Sequence, residues 1–267
     1  YYLIFSSVLN ICLDLLFIGV FRWGVWAAAI ATVISQASSM ILCLIHLHKK
    51  GTVFQVQFRK LRFHKEMLKE IIRYGLPSGI QNSVIAIANV IVQTNINSFG
   101  KIATAGYGSY TKIEGFGFLP ITSFTMALTT YTGQNLGAKE YDRAKKGSRF
   151  GILASIILAE LIGVLIFFFV PQLMRMFSDD PNVIAFGVNQ ARTEALFFFL
   201  LAFSHAVASV CRGAGKAFVP MAIMLSVWCV LRIAYITTVM HFVHEIQFIY
   251  WAYPLTWSIS SVIYLFY

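Results

Sequence analysis

Eight stretches of about 20 mostly apolar residues follow one another along this chain. They run at about 1–21, 25–47, 71–99, 103–132, 150–171, 183–211, 217–242 and 246–267. About 20 residues is the length at which a helix, rising 1.5 Å per residue, crosses the roughly 30 Å hydrocarbon core of a bilayer. Most connections are short and carry helix-breaking residues: Phe21-Arg22-Trp23-Gly24, Ser98-Phe99-Gly100-Lys101, Ser178-Asp179-Asp180-Pro181-Asn182 and Arg212-Gly213-Ala214-Gly215-Lys216. Only 12% of the residues are charged and 58% are hydrophobic, whereas a soluble domain carries about a quarter charged residues. A water-facing surface cannot be built from this composition. The reading is an all-α, polytopic membrane protein with eight transmembrane helices.

The formal net charge of +10 would suggest nucleic-acid binding in a soluble chain, but its placement says otherwise. Fifteen of the 21 Lys and Arg residues fall at alternate connections. Lys49, Lys50, Arg59, Lys60, Arg62, Lys65, Lys69 and Arg73 follow the second run, and Lys139, Arg143, Lys145, Lys146 and Arg149 follow the fourth. Arg212 and Lys216 follow the sixth. The opposite connections hold three, Arg22, Lys101 and Arg175, while Lys112, Arg192 and Arg232 fall inside the runs. Such asymmetry marks the cytoplasmic side. It predicts eight spans with both ends of this chain in the cytoplasm, a lipid bilayer as partner, and no nucleic acid. The chain opens at Tyr1 already apolar and without Met, which reads as a cut. Cys12, Cys43, Cys211 and Cys229 lie in apolar runs without a paired spacing and read as buried small hydrophobes.

A shift of 218 residues sets Tyr2–Phe17 against Pro220–Tyr235, with Asn10 opposite Trp228 and Asp14 opposite Arg232. Val25-Trp26-Ala27 and Tyr250-Trp251-Ala252 open the spans that follow. A six-helix repeat then divides the chain into the last two helices of one half (1–47), a basic cytoplasmic linker (48–70) and a six-helix C-terminal half (71–267). Repeats of this kind are common in secondary transporters, with the binding site between the halves.

Polar groups inside a membrane are costly and usually face protein or water. In the third run Ser78, Asn82, Asn89, Gln93 and Asn97 are spaced 4, 7, 4 and 4, one stripe at 100° per residue. They are candidates for a substrate cavity, or else for hydrogen bonds between helices. Glu114 and Lys112 lie on opposite sides of the fourth run, and Glu114 is either a proton or cation carrier or a structural ion pair. Glu194 and His205, 11 apart, return to one face and either exchange a proton or pack as structural residues, and Asp14 with Asn10, and Arg232, either bind an ion or link helices. Glu160 has no evident partner. Gly213-Ala214-Gly215-Lys216 lacks the first Gly and the Ser/Thr of a phosphate loop. His241, His244 and Glu245 lack further zinc ligands. No nucleophile, base and orienter assemble, so an enzyme is not expected and no cofactor or metal is implied.

Gly133-Gln134-Asn135-Leu136-Gly137-Ala138, followed by Ala144, resembles the signature of multidrug and toxic-compound extrusion (MATE) transporters. Asn10-Ile11-Cys12-Leu13-Asp14, Gly24-Val25-Trp26-Ala27-Ala28-Ala29, Tyr74-Gly75-Leu76-Pro77, Lys112-Ile113-Glu114 with Phe118 and Pro120, Arg212-Gly213-Ala214-Gly215, and Trp228 with Arg232-Ile233 agree in order. The resemblance implies helices five to twelve of a twelve-helix, two-lobe transporter, monomeric and free of cofactors. It would export organic, often cationic, compounds or drugs in exchange for H⁺ or Na⁺. Some members carry a cation-site Glu and Asp where an ungapped count places Ile85 and Leu201 here. Two other readings are a lipid-linked saccharide flippase of the same superfamily, which needs a basic cavity, and a membrane enzyme. The latter would be favoured if two or more of Glu114, Glu194, His205 and Asp14 met in one pocket.

Overall fold

A computed structural model describes residues 1–48 and 62–267, and helix is the only regular secondary structure among them. The chain forms two compact units, Tyr1–Lys65 and Glu66–Tyr267. In the first, α1 (Tyr2–Asp14) runs on through a π-helical segment, Leu15–Val20, and packs against α2 (Trp26–His48). Ser6 donates to the Ser35 carbonyl at 2.9 Å and Asn10 to the Thr32 hydroxyl at 3.4 Å.

The second unit contains α3 (Lys65–Asn97, its first residue lying across the boundary), α4 (Lys101–Gly137) and α5 (Tyr141–Arg175). Then come α6 (Pro181–Glu194), a 3₁₀ turn (Ala195–Phe197) and α7 (Phe198–Gly213). A last pair of rods is α8 (Phe218–Met224), continuing through a π segment (Leu225–Leu231) into α9 (Arg232–Phe242), and α10 (Ile246–Phe266). The eight apolar runs thus correspond to eight helical rods among the described residues, and six of these are long and apolar enough to cross a membrane. The other two are α4 and α10. In α4, Gly, Ser and Thr with Lys112 and Glu114 dilute the apolar content, and in α10 Tyr, Trp and Ser do.

Helix boundaries differ from the apolar runs for a physical reason. Lys and Arg are good helix formers, so α5 begins at Tyr141, well before its apolar run at 150, and carries Arg143, Lys145, Lys146 and Arg149 on its first turns. Likewise Lys65 and Lys69, assigned above to the linker, open α3. Residues 49–61 of that linker lie outside the described residues.

Rod α5 shows how the unit packs. Ser148, Gly151, Ser155, Ala159 and Gly163 recur every three or four residues and are buried, while Phe150, Leu153, Ile157, Leu161, Leu165 and Phe168 are exposed. Small residues let helix backbones approach closely, and the bulky apolar ones face outward, as lipid requires. The closest approach to another backbone is at Gly163, where a Cβ would run into the Ala195 carbonyl oxygen in the 3₁₀ turn. One turn away Glu160 accepts the Phe199 backbone N–H at 3.2 Å. Its partner is therefore a backbone donor freed where α6 breaks, which explains why no side-chain partner was evident. The expectation for the cysteines holds for Cys229, which is buried; Cys12 is exposed on α1, and all four are free thiols.

Gly163→Ala must push helix α5 away from a backbone atom that cannot rotate aside. It is expected to destabilise the fold by roughly 1–3 kcal/mol and to lower the apparent Tm of the purified protein in detergent. Gly108→Ala, whose Cβ meets nothing within 4 Å, serves as the control and leaves the Tm unchanged or raises it.

Candidate functional site

Five rods of the second unit present one face each to a common space. Helix α4 contributes Tyr107, Thr111, Glu114 and Phe118, spaced 4, 3 and 4, and α3 contributes Asn82, Ile85, Asn89 and Gln93. Leu201 and His205 come from α7, Trp228 and Arg232 from the α8–α9 rod, and Tyr253 and Trp257 from α10. They line a cavity of about 610 Å³, within the range that takes a drug-sized organic molecule.

Its one arginine is unusually held. Arg232 is 3% exposed. Its Nη2 donates to the Thr256 hydroxyl at 2.8 Å and its Nε to the same oxygen at 3.3 Å. The guanidinium lies 4.4 Å from the Tyr253 ring centre and 5.6 Å from that of Trp228. A delocalised, weakly hydrated cation on aromatic faces is the arrangement arginine suits and lysine does not. Thr256 is one turn from Ala252 and donates its own proton to that carbonyl at 2.9 Å, leaving its oxygen free to accept. Behind the rings, Trp228 Nε1 donates to Ser260 at 3.1 Å, and Ser260 and Ser261 meet Ser204 of α7 at 2.9 and 3.0 Å. Tyr253 and Tyr107 join hydroxyls at 3.1 Å. The α8–α9 rod, α7, α10 and α4 are thereby tied around the cavity by hydroxyl groups.

Glu114 supplies the carboxylate of the cavity, and its charge interacts with that of Arg232. His205 stands edge-on to Phe118 (5.5 Å) and Trp228 (5.1 Å), with Nε2 buried and without a protein partner. Lys112 points elsewhere, 5.8 Å from the Phe177 ring centre, as its spacing from Glu114 requires.

Of the α3 stripe, Asn82, Asn89 and Gln93 reach the cavity and its ends do not. Ser78 bonds back to the Tyr74 carbonyl at 3.4 Å, and Asn97, in the last turn, accepts from Gln93 at 2.9 Å and Thr104 at 3.1 Å. A stripe of 20 positions spans about 28 Å along a helix, longer than the cavity is deep. Glu194 is absent from the lining, contrary to the expectation that it shares a face with His205. The 3₁₀ turn between them winds at three residues per turn, so the 100° extrapolation fails across it. Asp14 belongs to the first unit, where it abuts the π segment and has one buried, unpartnered carboxylate oxygen. Ile85 and Leu201, where the resemblance puts acidic groups in some relatives, form apolar wall instead. The aromatic lining was not singled out from the sequence, yet the spacing of Tyr107, Thr111 and Phe118 about Glu114 carried the signal.

The Gly133–Ala138 signature closes α4 at the opposite end from Gly100. Lys139 adopts φ 63°, Glu140 N–H bonds the Asn135 carbonyl at 2.9 Å and Lys139 N–H that of Leu136 at 3.0 Å, the paired bonds that end a helix in a left-handed residue. Gly133 lies against Gly213, where a Cβ would stand 2.6 Å from the Thr129 carbonyl oxygen, so the C-terminal ends of α4 and α7 touch backbone to backbone. Gln134, Gly137 and Ala138 are exposed. Among the described residues no group of three or more His, Cys, Asp or Glu could hold a metal.

Comparison with known proteins accords with this architecture. The MatE family profile matches residues 77–238. The chain is 27% identical over 98% of its length to the probable multidrug resistance protein YoeA of Bacillus subtilis, of which it covers 58%. It is 28% identical over 84% of its length to the probable multidrug resistance protein NorM of Thermotoga maritima, covering 49% of that protein. A FAD transporter of Shewanella oneidensis is 25% identical over 67% of the chain and is covered to 40%. Among solved structures, a MOP superfamily transporter from Pyrococcus furiosus superposes with a TM-score of 0.91 at 21% identity, over 99% of this chain and 60% of that one. The chain therefore spans about two-fifths to three-fifths of the length of these relatives. Family members are transporters and not enzymes, so the meeting of Glu114 and His205 in one cavity does not make it catalytic. This multi-pass membrane chain belongs to the MatE family of multidrug and toxic-compound extrusion transporters.

Proposed function

We propose that the protein exports organic compounds, cationic ones among them, across the plasma membrane by exchange with H⁺ or Na⁺. The cavity of the second unit is its substrate site. The observation that carries this reading is the composition of that cavity: aromatic walls, three amide-bearing residues, and both Glu114 and Arg232 among its lining residues. Aromatic faces attract organic cations, while amides offer donors and acceptors alike and so tolerate varied substrates. Glu114 gives a site where a cationic substrate and a coupling cation compete. That competition is the differential affinity by which one ligand shifts a two-state carrier.

The relatives' roles in multidrug resistance and FAD transport support the class. A flippase for lipid-linked saccharides is less well supported. Lys112 lies over Phe177 and Arg192 over Phe167, and Arg232 is the cation among the cavity's lining residues, which also include the carboxylate Glu114. In this reading all eight rods span the membrane with both ends of the chain cytoplasmic. Residues 1–47 belong to one lobe and 71–267 to the other, and the protein works as a monomer.

In a pump-deficient host expressing the full-length protein, dye accumulation should rise when the proton and sodium gradients are both collapsed. Accumulation indifferent to both would rule out coupled export. Asn82→Leu and Gln93→Leu should each cut efflux about tenfold at unchanged expression, the equivalent of about 1.4 kcal/mol. Wild-type efflux in both would reduce the α3 stripe to helix packing.

Access can be checked separately. With the native cysteines replaced by serine, a cysteine introduced by Asn89→Cys should react with a hydrophilic maleimide and be shielded by transported dye. One introduced by Ala191→Cys, at a fully buried position, should not react.

A further inference from the structure

Behind the cavity wall lies a second polar cluster that the cavity does not include. Glu194 ends α6 with 0% of its surface exposed, and Gln190, one turn earlier, is 1% exposed. Gln190 Nε2 donates to Glu194 Oε1 at 3.0 Å. Its own Oε1 and the second carboxylate oxygen, Glu194 Oε2, are both buried without a protein partner. The hydroxyls of Tyr110 on α4 and Tyr250 on α10, also fully buried, are unpartnered too, and both side chains interact electrostatically with Glu194.

The charged groups around Glu194 are few. Helix α4 brings Glu114, with Tyr107 and Tyr110; the α8–α9 rod brings Arg232, and α10 brings Tyr250 and Tyr253. The α5 carboxylate, Glu160, is engaged by the Phe199 backbone. Arg232 is already committed to Thr256 and two rings, as described above. A second carboxylate, Glu114, adds repulsion.

What Glu194 lacks is a counter-charge. Ionised, it leaves two buried acceptors, its Oε2 and Gln190 Oε1, with the neutral Tyr110 and Tyr250 hydroxyls as the further donors of the cluster. An unpaired carboxylate in such surroundings is costly. One proton changes the balance: a carboxylic acid donates one O–H and still accepts. With Gln190 N–H already on Oε1, an O–H on Oε2 can complete the reciprocal acid–amide pair or donate to Tyr110. The tyrosine hydroxyls can serve as donors to the remaining oxygens.

We propose that Glu194, with Gln190, Tyr110 and Tyr250, forms a proton-binding site in the second unit, distinct from the substrate-facing carboxylate Glu114. This deepens the exporter reading by assigning a proton to a residue outside the cavity. Because the two carboxylates repel, a proton held on Glu194 favours a charged Glu114 at the cavity surface, ready for a cationic substrate. The two groups then titrate as a pair.

Infrared difference spectroscopy of the purified full-length protein in lipid tests the site without relying on transport. At neutral pH the wild type should show the C=O band of a neutral carboxyl, shifted by deuterium exchange and unmoved by added Na⁺. Glu194→Gln should lose that band, whereas Glu114→Gln should keep it. Tyr110→Phe, which preserves the packing, should shift its frequency without abolishing it. No such band in the wild type, or a band surviving in Glu194→Gln, would overturn the proposal. So would displacement of the band by Na⁺ with binding of radioactive sodium lost in Glu194→Gln, because the cluster would then be a sodium site. Failure of export with the band intact would count against the exporter reading alone.

Discussion

A bilayer offers no hydrogen bonds, so a polar group in this chain is costly unless the chain or a water-filled space it encloses satisfies it. That requirement orders the whole architecture. It explains the absence of any regular structure but helix among the described residues and the inversion seen on α5, where serines and glycines are buried and phenylalanines exposed. It also explains why the interior is tied by hydroxyls: Ser204 to Ser260 and Ser261, Thr132 to Ser148 at 3.1 Å, Tyr107 to Tyr253. In water such bonds would compete with solvent. Between membrane helices they supply contact that the hydrophobic effect does not.

Arg232 is the sharpest case. A guanidinium within a membrane rod must keep its hydrogens occupied, and here one hydroxyl and two aromatic faces do so in place of a carboxylate. The π segment Leu225–Leu231 runs up to it, and in the first unit a π segment, Leu15–Val20, begins just after Asp14. An extra residue in a helical turn re-aims the side chains beyond it and frees backbone carbonyls, and such segments recur at functional sites. The two residues that the 218-residue shift sets opposite each other thus both border a local change in winding.

The rods were legible in the sequence because a membrane helix is defined by composition over about 20 positions, a signal that tolerates local irregularity. Their ends were less so. Charged helix formers extend α3 and α5 past the apolar run, and apolarity cannot report that. The site was legible where the winding is regular: Asn82, Asn89 and Gln93 share a face of α3, and Lys112 and Glu114 diverge on α4. Legibility stopped at the 3₁₀ turn of 195–197, which separates Glu194 from His205. That break is set by contacts remote in sequence, Gly163 against Ala195 and Glu160 on Phe199, so no window of the sequence around it could display it.

The joint presence of Arg232 and Glu114 in one cavity has an electrical consequence. Arginine stays charged at any physiological pH, so the cavity's fixed charge is +1 when Glu114 is neutral and zero when it is ionised. In the export reading proposed above, trading one proton for one monovalent cation at that carboxylate would move no net charge across the bilayer. The carrier's work would then be blind to voltage and drawn from the chemical gradient alone. A divalent substrate exchanged for the same proton would feel the field, at about 2.3 kcal/mol per 100 mV for the unbalanced charge. The charge of the substrate, and not only its shape, would then decide whether membrane potential helps or hinders its export.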